Sequence, residues 1–80
     1  IARVRIERAG LFLPSVALGD VVNASDEIGI VVDPRTGDTV ERIESVHQGM
    51  IIAIRNQPVV TPGEMVARVF LSVEDVVGSM

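Results

Sequence analysis

The sequence predicts an all-β fold, and three observations support that prediction. Hydrophobic residues make up 48% of the 80 residues, but the only aromatic residues are Phe12 and Phe70. The core must therefore be built from Val, Ile and Leu, which favour strands. Turn signals interrupt the chain every 6–12 residues, and no segment has the length and period of an ordinary helix. We therefore expect seven or eight short strands in a barrel or sandwich.

The strands can be placed in order along the chain. In "ARVRIE" (residues 2–7) apolar and charged residues alternate, which is typical of a half-buried strand. The next short strand, "LFLP" (residues 11–14), ends at its proline. The later predicted strands are "VV" (21–22), "EIGIVV" (27–32), "DTVERIE" (38–44), "MIIAIR" (50–55) and "MVARVFL" (65–71). The tail "SVEDVVGSM" (72–80) is too short and mixed to assign.

A hairpin is predicted at "DPRTG" in the middle of the chain. Asp33 can cap this loop, Pro34 presets φ, and Gly37 can adopt a positive φ. On the entering strand the continuous apolar run predicts burial on both faces. On the returning strand Val40 and Ile43 break the strict alternation, which predicts a β-bulge.

The two halves of the sequence resemble each other. "RVRIERAGLFL" (residues 3–13) aligns with "RIESVHQGMII" (42–52) at an offset of 39 residues. "VNASDEIGIV" (22–31) aligns with "VTPGEMVARV" (60–69) at an offset of 38 residues. A repeat of this kind indicates two similar four-strand halves, each with an apolar face that it cannot bury alone. We expect a barrel-sandwich hybrid in which the halves are related by a pseudo-twofold axis and close against each other.

Composition excludes several classes of chemistry. The chain has no cysteine and one histidine, whereas a catalytic zinc needs about three protein ligands. Its net charge of −4, with seven arginines and no Lys, Trp or Tyr, argues against nucleic acid as a partner. The longest apolar run, residues 50–54, is far shorter than the roughly 20 residues of a membrane-spanning helix. We therefore expect no catalytic, cofactor-binding or metal residues, and no membrane or nucleic-acid partner.

Individual residues also have plain structural interpretations. His47 lies just before a turn glycine, where an exposed or locally hydrogen-bonded histidine is more common than an acid–base catalyst. Arg3 and Arg5 share one face of the first strand, where they could bind a carboxylate or phosphate but are expected to form solvated pairs with the acids. The scattered glycines are predicted turn or bulge residues: Gly19, Gly29, Gly37, Gly49 and Gly63.

Several motifs together resemble a known family. They are "AGLFLP" (9–14), "LGDVV" (18–22), "IGIVVDPRTGD" (28–38), "HQGMI" (47–51) and "VTPGEMVARV" (60–69). This order of turns and strands resembles the biotinyl/lipoyl-like group of barrel-sandwich domains. Within that group it is similar to the C-terminal β-domain of the succinylglutamate desuccinylase/aspartoacylase family. The chain departs from the usual pattern at Ser25, where glycine is common, although serine tolerates most turn conformations.

The resemblance implies a function for a longer protein. Members are zinc-dependent hydrolases of N-acyl amino acids, and a His-x-x-Glu pair and a later His bind zinc in a separate N-terminal domain. No residue here matches that motif, so we expect residues 1–80 to be a single accessory β-domain without catalytic residues. It would pack on the catalytic domain and shape substrate access, with zinc held by that missing domain. The start at Ile1, within a predicted strand, indicates a C-terminal fragment of a larger, cytoplasmic chain.

Alternatives remain open at this point. A biotin- or lipoate-carrying role is excluded because the hairpin tip holds Arg35, whose guanidinium cannot form the carrier amide. A lysine-less scaffold domain of the same group is still compatible with the sequence. So is an interaction module of an export-system adaptor, although its central loop would normally carry a helical insertion. In the accessory-domain interpretation Arg35 could contact a carboxylate of the neighbouring domain. The sequence does not decide whether the protein forms a homo-oligomer.

Overall fold

The described part of the chain forms two four-stranded antiparallel β-sheets, which confirms the all-β prediction. A computed structural model describes residues 1–71; the unassigned tail lies outside the described residues. The strands are β1 (Ala2–Arg5), β2 (Gly10–Pro14), β3 (Val21–Val22), β4 (Glu27–Val32), β5 (Thr39–Glu44), β6 (Gly49–Ile54), β7 (Val59–Val60) and β8 (Met65–Leu71). Each segment predicted as a strand from the sequence overlaps one of these strands, although β2 and β6 each begin one residue earlier than predicted, and β7 is the additional one.

The two sheets have equivalent strand orders. The first sheet is ordered β1-β8-β6-β3 and the second β5-β4-β2-β7. Exchanging each strand for the one four positions away converts one order into the other, as the sequence repeat predicts. The halves do not form separate sheets, however, because each sheet takes two strands from each half. The physical reason is backbone pairing: β1 pairs with β8 and β3 with β6, so neither edge strand has a partner within its own half.

One hydrophobic core lies between the sheets. Phe12 on β2 and Ile51 on β6 occupy equivalent positions in the repeat, and both are buried. The buried apolar residues form a single cluster: Ile6, Phe12, Val22, Ile28, Val31, Ile43, Ile51, Val60, Val66, Ala67 and Val69. Val and Ile dominate this list, as the composition predicts, but the predicted Leu is missing from it: Leu11 is only partly buried, and Leu13 and Leu18 are exposed. No residue of β4 is exposed, which confirms the prediction that this strand is covered on both faces.

Two glycines of the repeat lie where neighbouring backbone approaches closely. A Cβ atom at Gly49 would collide with the carbonyl oxygen of Phe70 and would lie 2.8 Å from Cγ1 of Val69. At Gly10 it would collide with the Val32 carbonyl oxygen and lie 2.8 Å from Cγ1 of Val31. The prediction of Gly49 as a turn or bulge residue is therefore wrong. It begins β6 and is buried, because only a residue without a side chain fits there.

Register shifts occur in both sheets. Val31 pairs with Glu41 and Val32 with Thr39, so Val40 is an extra residue on β5 and the predicted bulge is confirmed. In β6, Ile51 pairs with Val69 and the next paired residue is Ala53. Ile52 is therefore extra on β6, and by the same reasoning Val66 is extra on β8 and Ile28 on β4. The sequence did not predict these three.

The turns before β4 and β8 are also equivalent. Ser25 has a φ of 76° and Gly63 a φ of 88°. Backbone hydrogen bonds hold both: the Ser25 N–H donates to the Ser45 carbonyl at 2.7 Å, and the Gly63 N–H to the Ile6 carbonyl at 2.9 Å. The expectation that serine tolerates most turn conformations needs correction at this position, because a positive φ is unfavourable for a residue with a Cβ atom.

Candidate functional site

A cleft of about 330 Å³ opens between edge strands β1 and β5. Since these strands are equivalent in the repeat, the cleft lies on the pseudo-twofold axis. Its walls combine charged side chains with the chain bend that precedes β6. Its lining includes Ala2, Arg3, Arg5, Glu41, Val46 and His47.

Glu41 ties the two sides of the cleft together at one end. Its carboxylate accepts hydrogen bonds from two consecutive backbone amides in the bend between β1 and β2. The Glu7 N–H lies 2.9 Å from Oε1 and 3.2 Å from Oε2, and the Arg8 N–H lies 2.9 Å from Oε1. Two adjacent N–H groups that converge on one anion form a nest, which favours negative charge.

The arginines of the cleft differ in their partners. Arg42 forms an ion pair with Glu27 at 2.6 Å, and Nη1 of Arg5 donates to the Gly63 carbonyl at 2.9 Å. Arg3 lies directly opposite Arg68 on the neighbouring strand. Within residues 1–71, neither Arg3 nor Arg5 forms the ion pair with an acid that the sequence predicted. The β1 edge of the cleft therefore carries positive charge that no acid among residues 1–71 neutralises through an ion pair.

His47 lies in the bend between β5 and β6 and is exposed, as predicted. Its carbonyl accepts a hydrogen bond from Oγ of the buried Ser45 at 2.6 Å, while its imidazole has no hydrogen-bond partner among residues 1–71. In this part of the chain no group of three His, Asp or Glu side chains comes together as a metal site would require. These residues do not fit the zinc that the family resemblance implies. That no residue is catalytic stays a prediction.

The central hairpin is closed by its own residues. The Asp33 carboxylate accepts a hydrogen bond from the Arg35 backbone N–H at 2.9 Å, and its Oδ2 lies 3.2 Å from Nη2 of Arg35. These hydrogen bonds lower the pKa of Asp33 below its usual value. The Arg35 side chain is largely exposed, but its charge is paired with Asp33 within the same loop.

A second polar cluster joins the connections on either side of β7. Arg55 donates to the carbonyls of Gln57 at 3.1 Å and Val59 at 3.2 Å, and its Nη2 lies 3.0 Å from Oε2 of Glu64. Oγ1 of Thr61 donates to Oε1 of Glu64 at 2.7 Å. The Thr61 hydrogen bond, with a smaller contribution from the Arg55 charge, lowers the pKa of Glu64 although partial burial opposes this shift.

An apolar row crosses the outer face of the first sheet. Val21 pairs with Met50, and Met50 pairs with Phe70, so these three side chains are neighbours on adjacent strands. They are 70%, 42% and 55% exposed, respectively. Because Ala2 pairs with Val69, extending that register brings the exposed Ile1 beside Phe70. We call Val21, Met50 and Phe70 the apolar row.

The equivalent positions of the second sheet are different. Val59 pairs with Leu11, and Leu11 pairs with Val32. Val59 is 66% exposed, but Leu11 and Val32 are partly buried. The exposed apolar row is therefore a property of one sheet and breaks the pseudo-twofold symmetry.

Comparison with known proteins identifies relatives by structure. No protein-family model matches the sequence, and a search of curated protein sequences gives no significant match. The ectoine utilization protein EutE (DoeB) from Ruegeria pomeroyi is 27% identical with a TM-score of 0.80, and the match covers 88% of this chain and 22% of that chain. The succinylglutamate desuccinylase/aspartoacylase from Rhodobacter sphaeroides is 28% identical with a TM-score of 0.77, covering 85% of this chain and 21% of that one.

A larger enzyme contains a similar unit. The match to the urea carboxylase of Kluyveromyces lactis has a TM-score of 0.67 and 28% identity, and covers 86% of this chain and 6% of that chain. In residues 1–71 there is no helix with the length and apolar character of a membrane span. The chain thus spans about a fifth of the succinylglutamate desuccinylase/aspartoacylase-type proteins that it resembles, and its fold corresponds to a domain-sized part of them.

Proposed function

We propose that this chain is a non-catalytic accessory domain of a zinc-dependent N-acyl amino acid hydrolase. In this proposal it packs on the catalytic domain and restricts the approach of substrate to the metal. The similarity to proteins of the succinylglutamate desuccinylase/aspartoacylase type, over nearly the whole chain, supports this family. The C-terminal position of the domain and its membership of the biotinyl/lipoyl-like barrel-sandwich group are parts of the same proposal.

The observation that carries the proposal is the apolar row on the first sheet. Val21, Met50 and Phe70 are adjacent large apolar side chains on three neighbouring strands, and each is exposed. Fully burying a side chain of this size stabilises a complex by about 1.5–3 kcal/mol. A contiguous exposed apolar face of this kind is typical of an interaction surface. We infer that the catalytic domain of the same protein covers it.

The proposal assigns zinc to the catalytic domain, since the described residues lack a suitable ligand set. Zinc bound there would polarise the scissile carbonyl and lower the pKa of its water. The role of the present chain would be steric: a wall beside the metal site that selects substrates by size. Localisation in the cytoplasm stays part of this proposal.

The first test uses the full-length natural protein that contains this chain. We expect about one zinc per chain and hydrolysis of N-acyl amino acids. Zinc is measured by atomic emission and hydrolysis by release of the free amino acid. A full-length protein with neither property would overturn the proposed function.

The second test addresses the docking face with two matched variants. Val21→Asp places a carboxylate in the apolar row, whereas Val59→Asp places one at the equivalent and similarly exposed position of the other sheet. Burying an unpaired polar group costs about 1–3 kcal/mol, and more if it is charged. We therefore expect Val21→Asp to lower the thermal midpoint of the full-length protein by several degrees and Val59→Asp to leave it nearly unchanged. Equal effects would show that the apolar row is not the docking face.

A second candidate function is a lysine-less scaffold domain within a multidomain enzyme. The similarity to a small part of a urea carboxylase favours it. The export-adaptor alternative has no comparable support, because the hairpin between β4 and β5 is short and is closed by Asp33. Loss of hydrolysis in Val21→Asp, with hydrolysis retained in Val59→Asp, would favour the accessory domain over the scaffold.

A further inference from the structure

We propose that the bend at Val46 and His47 is a binding site for a carboxylate group. The site lies in the cleft between β1 and β5, at the end opposite to Glu41. It does not depend on the proposed function, because the observations that support it come from the internal repeat of this chain.

The repeat contains an occupied version of the same site. The first bend, Glu7–Arg8, presents two consecutive backbone N–H groups to the Glu41 carboxylate, at 2.9–3.2 Å. This geometry shows that a bend of this shape can hold both oxygens of one carboxylate. The donors are backbone groups, so the bend provides them whatever its side chains are.

The second bend, Val46–His47, is equivalent to the first. At the offset of 39 residues, Val46 corresponds to Glu7 and His47 to Arg8. The residues that precede the bends make matching backbone hydrogen bonds: the Ile6 N–H donates to Glu64 at 3.1 Å, and the Ser45 N–H donates to Asp26 at 2.9 Å. The second bend should therefore aim its two amides in the same way across the cleft.

The two bends differ in the residue that faces them. The same offset aligns Glu41 with Ala2, whose methyl group cannot accept a hydrogen bond. Within residues 1–71, the amides of Val46 and His47 have no acceptor. Val46 is 79% exposed, so an external group can reach them. The second bend thus retains the donors of the carboxylate site, while the carboxylate would have to come from outside residues 1–71.

The surroundings favour an anion of modest size. Ala2, Val46 and His47 line a cleft of about 330 Å³, which is large enough for a carboxylate with its attached carbons. Arg3 also lines this cleft and has no ion-pair partner among residues 1–71, so it adds positive charge near the amides. Glu44 lines it too and opposes a multiply charged ligand. These features suit one carboxylate rather than a phosphate.

The test is an amide-resolved NMR titration of the 80-residue chain with sodium acetate, with sodium chloride as the ionic-strength control. We expect saturable shifts of the Val46 and His47 amide signals with acetate and none with chloride. Ala2→Glu should supply the carboxylate internally. It should abolish the acetate response of both amides and raise the thermal midpoint by a few degrees.

Glu41→Ala provides a matched control at the first bend. It removes the internal carboxylate, so the Glu7 and Arg8 amides should begin to respond to acetate as those of the second bend do. If that variant does not fold, the comparison of the original chain with Ala2→Glu still decides the question. Unchanged Val46 and His47 signals in acetate, or an acetate response that persists in Ala2→Glu, would overturn the proposal.

A second probe distinguishes the sources of the carboxylate. A tripeptide with blocked ends and a single glutamate carries only a side-chain carboxylate. Tighter binding of this peptide than of acetate would indicate an acidic side chain of a protein as the ligand. Equal or weaker binding would indicate a small free carboxylate. Either result supports a carboxylate site.

Discussion

Ser25 and Gly63 show how one residue changes the energy of a turn that occurs twice. Both have a positive φ, of 76° and 88°, and both donate a backbone hydrogen bond to the opposite half of the repeat. A left-handed conformation costs a residue with a Cβ atom roughly 1–2 kcal/mol, whereas glycine adopts it freely. The first turn is therefore strained and the second is not. The sequence shows that serine stands where the repeat has glycine, but only the backbone φ shows that serine is the less favourable residue there.

Replacing Ser25 by glycine should therefore stabilise the protein. Ser25→Gly removes the crowding of Cβ but adds freedom to the unfolded chain, so we expect a net gain of about 1 kcal/mol. The measurement is the free energy of unfolding in urea, or a thermal midpoint about 4–8 °C higher. Gly63→Ser is the reciprocal control and should destabilise by a similar amount. A stabilisation by both substitutions, or by neither, would contradict this account.

Glu64 couples the stability of the second turn to pH. The Thr61 hydroxyl, together with the charge of Arg55, holds its pKa below the ordinary value of 4.5. In the unfolded chain these partners are absent. The ionised form therefore contributes stability above pH 4.5, and this contribution is lost as the pH falls through the lower folded-state pKa.

Removing the Glu64 carboxylate should make the free energy of unfolding less dependent on pH in the acid range. For Glu64→Gln we expect a smaller decrease in the free energy of unfolding as the pH falls below 4.5, because no proton is taken up at this position. Urea denaturation at a series of pH values provides the measurement. Thr61→Val removes the hydroxyl donor, so it should act in the same direction. If the free energy of unfolding depends on pH in both variants as it does in the original protein, the Thr61 hydrogen bond does not set the pKa of Glu64.

At the scale of the strands, glycine allows two neighbours to approach more closely than a side chain permits. Gly10 begins β2 and Gly49 begins β6, at equivalent positions of the repeat. At each position the space for a Cβ atom is taken by a carbonyl oxygen and a valine methyl group of the neighbouring strand. Turn signals surround Gly49 in the sequence, and they predicted a turn or bulge residue there. A sequence pattern cannot show how closely another strand passes.

Gly49→Ala should therefore be among the more damaging small substitutions in this chain. Since the nearest obstacle is backbone, the strands must separate, and we expect a loss of about 2–3 kcal/mol. Gly37→Ala is the control: nothing lies within 4 Å of its Cβ position, so only the cost of its positive φ, about 1 kcal/mol, applies. Free energies of unfolding compare the two. A smaller loss for Gly49→Ala than for Gly37→Ala would show that the close approach is not rigid.

The bulges illustrate which irregularities a sequence can predict. Val40 interrupts a strand whose alternation is otherwise regular, so the extra residue was recognisable and is confirmed. Ile52 is extra in "MIIAI", where every residue is apolar and no alternation exists to be broken. The bulge at Ile52 became visible only from the pairing of β6 with β8.

At the scale of the whole molecule, the two halves depend on each other for backbone pairing. Among residues 1–71, β1 pairs only with β8, and β3 only with β6, so each of these edge strands is held by the opposite half. The connections are short while the paired strands are distant in sequence. The two halves therefore cannot form independent domains, and the core forms only when both halves are present.

The departures from pseudo-twofold symmetry mark the surfaces that we propose as functional. Met50 and Phe70 are exposed, while Leu11 and Val32 at the equivalent positions are partly buried. Ala2 likewise stands where the repeat has Glu41. Each difference leaves a surface without a partner among residues 1–71: the apolar row in the first case, and the backbone N–H groups of the second bend in the other.

The all-β class, the positions of most strands, the central hairpin and the repeat could be predicted from the sequence. These features follow from alternation, turn chemistry and self-similarity, which are local or visible by alignment. The tertiary structure alone decided that the halves interleave, that Val21, Met50 and Phe70 become neighbours, and that Ala2 and Glu41 occupy equivalent places beside one cleft. The physical reason is that the alternation of apolar and polar residues along a strand indicates which of its faces is buried. Which strands it pairs with depends on backbone pairing between residues far apart in the chain.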